Sequence, residues 1–341
     1  MNRSTILYGL FASGAVLSGL NAEIVLNDHF SLEGFVDSSF QYADSDLDGG
    51  AHHLAVDQVQ MGAHMDWYPL AAQLDLAYLE SDGAHSAEGF GLEQVYLTYE
   101  FEDRQWLTAG RYASMLGYEA FEPTGLYQYS DWADRFDGTA VRTPNYAHGL
   151  KYSRETDASF FGMSLQSAGT EREDSVGDFD SINDGWGAEV AAAYWMEYGL
   201  TLFAGAAYND HEEHGESYVL NTYLSLQTGA WTLATELSYG ESDLGGGANS
   251  EGLSGLVMAN FTYSPVVSFT GRMSYYTSDL DGANDHGVTY AFAHNYAVTE
   301  QLVLVSELSY TDEDQESSDL SEATRGKDQT VFAAVELLFT F

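Results

Sequence analysis

Cysteine is absent from all 341 residues, proline occurs four times, and lysine and arginine together number only 11. Each shortage removes a class of protein. A chain without Cys is not a small secreted disulfide scaffold, and it suits a protein that crosses an oxidising space unfolded. Against the 11 basic residues stand 53 acidic ones, a net charge of -42. Nucleic-acid phosphate would be repelled by such a chain, so no nucleic-acid partner is expected. Long apolar runs are scarce as well, whereas membrane helices need about 20 consecutive apolar residues. The one long run is Ile6–Leu20, between Arg3 and the small residue Ala22. A charged start, apolar middle and small-residue end make residues 1–22 a secretory signal peptide, leaving 23–341 as a single domain. An acidic chain this poor in basic residues could be disordered, but its 14% aromatic content argues against that.

What the chain does have is alternation. Val59, Met61, Ala63, Met65 and Trp67 are apolar at every second place, interleaved with Gln60, His64 and Asp66. Val95, Leu97, Tyr99 and Phe101 repeat the pattern, as do Val267, Phe269, Met273 and Tyr275. Period two marks strands with two different faces. About sixteen such segments recur, each near the 9–11 residues a tilted strand needs to cross a bilayer.

The connections alternate too. Short ones fall at Trp67–Leu70, Glu102–Arg104, Glu155–Asp157, Glu197–Gly199, Thr228–Gly229, Ser264–Pro265 and Ala297–Glu300. Longer ones fall at Ala43–His53, Ser81–Glu88, Ala113–Pro144, Gly169–Asp184, Asn209–Ser217, Gly240–Gly252, Thr277–His286 and Thr311–Gln329. A strict short–long sequence gathers all the turns at one end and all the loops at the other, as in a transmembrane antiparallel β-barrel with short periplasmic turns and long outer loops. The four prolines sit in turns and loops, where no ladder hydrogen bond is lost. Trp67, Trp106, Trp195 and Trp231 flank short turns, while Tyr42, Tyr208, Tyr239, Tyr275, Tyr276 and Tyr310 lie at the other end. They are expected to form two interfacial girdles.

The chain ends "VFAAVELLFTF". Val331, Ala333, Val335, Leu337, Phe339 and Phe341 give one wholly apolar face, expected to meet lipid, with the strand edge closed by pairing to the first strand. A terminal Phe on such a strand resembles the C-terminal signal of bacterial outer-membrane proteins. That resemblance implies that Phe339 and Phe341 are read by the outer-membrane assembly machinery.

Most carboxylates fall in the long connections. Asp44, Asp46 and Asp48 followed by Gly49 echo half a calcium loop, but position 55 is Ala where a bidentate Glu belongs. "HEEHGE" (His211–Glu216) is not the H-E-x-x-H pattern. No cofactor and no metal centre is expected, with weak divalent-cation binding by outer loops left open. No nucleophile elbow is present, and carboxylate pairs are too common to mark a catalytic one, so an enzyme is not expected.

The stretch 113–144 is the one long insertion, in the third outer connection. It is rich in aromatics (Tyr118, Phe121, Tyr127, Tyr129, Trp132, Phe136) and should pack. "AGRYASMLGYEAFEPTGLYQYS", with Gly110, Ser114, Gly117, Tyr118, Glu119, Tyr129 and Ser130, resembles the OmpL-like outer-membrane β-barrel porins. The resemblance covers about a tenth of the chain. It implies a passive channel for small hydrophilic solutes, with the third loop folded into the lumen as in general porins. A cap over the rim is the alternative for that loop. A sugar-selective channel, marked by inward Tyr96, Phe203 and Tyr223, and a closed adhesion barrel are the alternatives for the whole.

Candidate constriction residues are Arg111, Glu119, Glu122, Asp131, Asp134, Arg135, Asp137, Arg142 and Lys151, where opposite charges would set up a transverse field. Strand parity points Glu33, Asp37, Asp75, Glu189, Glu236 and Glu307 into the lumen, with Arg272 and Lys151 against them, while the parity of Arg111 is ambiguous. The excess of carboxylates favours cations. Expected partners are small hydrophilic solutes, outer-membrane lipid and lipopolysaccharide, with homotrimeric assembly open. The expected location is the outer membrane of a Gram-negative-type bacterium.

Overall fold

A computed structural model of the chain describes residues 23–46, 49–79, 89–119, 122–131, 146–167, 185–211, 215–243, 249–280, 283–315 and 326–341. The signal peptide expected at 1–22 lies outside the described residues. Seventeen strands are present among them. The first six are β1 (Glu23–Asn27), β2 (Phe30–Ser45), β3 (Gly49–Trp67), β4 (Leu70–Leu79), β5 (Gly89–Glu102) and β6 (Gln105–Ala113). Next come β7 (Tyr146–Glu155), β8 (Ser159–Ser167), β9 (Gly185–Trp195), β10 (Leu200–His211), β11 (Gly215–Thr228) and β12 (Trp231–Asp243). The last five are β13 (Asn249–Ser264), β14 (Val267–Leu280), β15 (Ala283–Ala297), β16 (Leu302–Gln315) and β17 (Gly326–Thr340).

From β2 to β17 each strand pairs antiparallel with the next, and β17 pairs back onto β2, closing a barrel of sixteen strands. Closure leaves no strand edge to lipid, where an unpaired backbone group would cost several kcal/mol. The seam is continued by Phe341, whose N–H donates to the Gly34 carbonyl at 2.9 Å and whose carbonyl accepts from the Gly34 N–H at 2.8 Å. Beyond that point the short β1 takes over the same edge of β2, with Glu23 opposite Glu33.

Alternation sorts the side chains as the barrel requires. In β17, Val331, Val335, Leu337 and Phe339 are exposed on the outside, while Ala334, Glu336, Leu338 and Thr340 are buried inside. Trp67 and Trp231 stand exposed beside short turns, as girdle residues do. Trp106 and Trp195 do not. Trp106 is buried, and Trp195 packs against the internal apolar cluster, because both fall on the inward face of their strands. Tyr276 turns inward in the same way.

Four of the eight expected long connections prove to be largely strand, and strand also enters both ends of a fifth, Thr311–Gln329. Ser45 pairs with Gly49, His211 with Gly215, Asp243 with Asn249, Leu280 with Ala283 and Gln315 with Gly326. Both faces of these hairpins are largely polar. The backbone ladder persists there without the apolar alternation that identifies a strand in sequence.

Candidate pore interior

The chain leaves β6 at Ala113 and immediately grips the adjoining wall of β9–β12. Ser114 Oγ donates to Glu189 at 3.0 Å, and the Met115 N–H donates to the same carboxylate. The Gly117 N–H reaches Asn221 Oδ1 at 3.2 Å, and the Tyr118 N–H reaches Glu236 Oε1 at 3.0 Å. Glu189 and Glu236 therefore face inward, but their charge is spent on loop amides. Between these bonds Met115, Leu116, Tyr118 and Tyr127 form an apolar cluster with Phe160, Phe203, Tyr223, Leu256 and Met258 of the wall. Gly162 and Gly205 make room for it: a Cβ there would lie 2.3 Å from Met115 Sδ and from Leu116 Cδ2 respectively. A hydrophobic core thus sits inside the barrel, against β8–β13.

The loop continues over β14–β17 and β2. Arg272 of β14 clasps Glu119, with Nη1 2.8 Å from both carboxylate oxygens, and reaches the Ser130 carbonyl at 3.0 Å. The side chains of this pair are 1% and 7% exposed. Ser130 is held again by Glu307, which accepts from its N–H at 2.9 Å and from its hydroxyl at 2.7 Å. The Tyr127 carbonyl accepts from Thr270 at 2.9 Å and Asn295 at 2.8 Å. Tyr129 stacks on Phe332, with its hydroxyl 2.6 Å from Gln41 Nε2. Arg272 and Glu307 point inward but serve as clasps.

The turn Pro123–Gly125 reaches towards the remaining wall. Glu122, just before it, accepts from Gln60 Nε2 of β3 at 2.9 Å. The same amide donates to Glu93 at 2.8 Å, and Gln58 donates to Glu93 at 3.1 Å. Asp75 accepts from Gln73 at 2.6 Å and from Gln94 at 2.8 Å, while His64 lies 2.9 Å from Glu33. Glu122 therefore faces a wall bearing Glu33, Asp75 and Glu93. Burial lifts the Glu122 carboxyl above its ordinary range; the Gln60 hydrogen bond offsets part of this, and Glu33 adds to it.

Of the expected constriction residues, the structure brings Glu119 to Arg272 and Glu122 to the β3–β5 wall. Arg111 is buried, its guanidinium over the Tyr146 ring at 5.1 Å and its Nε donating to the Glu93 carbonyl at 2.7 Å. Its parity is ambiguous because Gly110, with φ +134, interrupts the alternation of β6. Lys151 lies over the Tyr112 ring at 4.4 Å. Asp131 ends the described part of the loop. Asp134, Arg135, Asp137 and Arg142 lie outside the described residues. Across from Glu122 stand three carboxylates, Glu33, Asp75 and Glu93, with His64 among them.

Two inward carboxylates escape a parity argument. Glu93 is the extra residue where Asp75 pairs with Gln94 but Leu76 pairs with Leu92. Asp57 lies in a similar break, where Asp37 pairs with Gln58 and Ser39 with Ala55. A bulge adds one residue and turns its side chain against the running alternation. Glu336, which hydrogen-bonds Asp37, needs no bulge: it lies on the inward face of β17.

A family model described as "Putative beta-barrel porin-2, OmpL-like" matches residues 30–341. No curated protein matches the chain. Among solved structures, the anion-selective porin of Comamonas acidovorans is similar at 16% identity, TM-score 0.67, over 92% of this chain and 99% of that one. The outer membrane channel DcaP of Acinetobacter baumannii is similar at 12% identity, TM-score 0.67, over 92% and 97%. OmpT of Vibrio cholerae, an outer membrane protein in its trimer form, is similar at 12% identity, TM-score 0.63, over 92% and 100%.

Proposed function

The chain belongs to the OmpL-like β-barrel porin family, and we propose that it is a passive outer-membrane channel for small hydrophilic solutes with a preference for cations. The observation that carries the preference is Glu122 facing the β3–β5 wall with its Glu33, Asp75 and Glu93. Facing carboxylates in a confined, low-dielectric passage raise the local cation concentration. The fold itself does not fix the sign, since a similar barrel is an anion-selective porin.

The sugar-channel alternative loses its main support. Phe203 and Tyr223 stack on each other at 4.5 Å, and Tyr118 of the loop lies on Tyr223 at 5.4 Å. They belong to the internal core, leaving Tyr96 as the remaining inward aromatic of the expected three. Residues 1–22 act as the export signal, Phe339 and Phe341 as the assembly signal. Lipid and lipopolysaccharide surround the barrel, the acidic outer loops bind divalent cations weakly, and the assembled form is a trimer.

The test is conductance in a planar bilayer together with liposome swelling in neutral sugars of rising size. Steady conductance and a size-dependent swelling rate are expected. A properly folded barrel that conducts nothing contradicts the channel and favours an adhesion barrel.

A further inference from the structure

The inner wall is not uniformly wet. On β8–β13 the inward residues Phe160, Ala191, Phe203, Asn221, Glu236 and Met258 are all buried. On β14–β17 the same holds for Thr270, Arg272, Ala293, Val305, Glu307 and Leu338. Beneath the loop this follows from the apolar cluster and from the clasps at Glu189, Glu236, Arg272 and Glu307 described above. On β2–β5 the pattern changes. Gln58, His64, Gln73, Gln94 and Tyr96 face inward and keep part of their surface, beside Asp37, Gln60, Asp75 and Glu93, which are buried. So does Glu33, whose side chain is 36% exposed. From the loop side, Glu122 and the turn Pro123–Gly125 likewise keep part of their surface.

The way the loop is fastened agrees with this. Residues 114–119 and 127–130 are held by a succession of hydrogen bonds to β9, β11, β12, β14, β15, β16 and β2. Towards β3, the described wall hydrogen bond of the turn is Gln60 to Glu122. One face of the loop is therefore packed as a protein core is packed, without room for water. The other face looks across at amides, carboxylates and a phenol, groups that stay solvated or hand hydrogen bonds to a passing solute.

We infer that solutes cross the barrel through an eccentric lane between the third loop and the inner wall of β2–β5, and that the β8–β13 half of the lumen is closed. This rests on the channel reading given above and adds to it where the path lies. The lining fits small cations and organic ammonium or guanidinium compounds. Carboxylates stand on both sides, and the glutamine amides offer carbonyl acceptors to N–H donors.

The absence of native Cys allows a direct test. Gln58→Cys and Gln94→Cys place a thiol in the lane. Ser225→Cys on β11 and Ser254→Cys on β13, both buried positions and near-isosteric changes, place one on the closed half. Each folded, heat-modifiable variant is recorded in a planar bilayer while a positively charged methanethiosulfonate is added, with the Cys-free parent as control. Stepwise loss of current and a shift of the reversal potential towards anions are expected for the two Gln variants. No change is expected for the two Ser variants or the parent. Block through Ser225→Cys or Ser254→Cys overturns the lane, whether or not the Gln variants respond. Open current in which neither Gln variant responds also overturns it. A parent with no current at all refutes the channel itself, which is a different failure.

Discussion

Arg272 and Glu119 lie 153 positions apart and meet as an enclosed ion pair across the lumen. Removing one partner from such a pair costs about 3–5 kcal/mol, because the other charge is left buried. Arg272→Ala is therefore expected to free the Glu119–Ser130 segment, lower the temperature at which the barrel unfolds on gels, and make channel current noisier. The double variant with Glu119→Gln should recover much of the loss, since neither charge is then stranded. Glu122 behaves differently, being partly buried and faced by carboxylates. Its carboxyl is raised by burial, so on acidification it loses its charge at a higher pH than a free Glu, near 4.3. Cation preference should accordingly begin to fall above that range. Glu122→Gln should lower the preference at neutral pH and flatten this part of the profile, as read from reversal potentials taken across pH.

At the scale of single elements, β17 shows most clearly what alternation can reveal. Its apolar outward face and its inward Glu336 follow from period two, and so does its pairing to the first barrel strand. Replacing both Phe339 and Phe341 by Ser removes two outward rings, stacked 6.2 Å apart, from the seam. Much lower surface levels with periplasmic degradation are expected, as measured by surface labelling; normal levels would contradict the role. Strands β3 and β5 show where the same reasoning stops. Bulges opposite Asp37–Ser39 and Asp75–Leu76 turn Asp57 and Glu93 inward, and nothing in a simple alternation marks them. The extended hairpins read as loops for the reason that both their faces are largely polar. Trp106 and Trp195 show the converse: nearness to a turn suggests a girdle, while parity, which decides, sends them inside.

For the whole molecule, the sixteen-strand closure is legible because each strand pairs with its sequence neighbour, so local pattern is enough. The interior is not legible in that way. Glu119 with Arg272, Tyr118 with Tyr223, and Ser130 with Glu307 are long-range meetings of one loop with distant wall strands, and composition carries no record of them. What the assembled interior does imply is a sign. Carboxylates dominate the inner wall opposite the loop, and the outer strands add a wider negative field. The outer contribution is screened within a Debye length of about 10 Å at 0.1 M salt, while enclosed charges are screened less. The most direct measurement is the reversal potential of the purified, folded protein in a planar bilayer under a salt gradient, at two ionic strengths, compared with Glu93→Gln/Glu122→Gln and with Asp279→Asn/Asp285→Asn. The expected result is a cation-selective potential that weakens but survives at higher salt, and that drops more with the Glu93 and Glu122 changes than with the rim changes. An anion-selective potential, or one that moves only with the rim residues, would contradict the account.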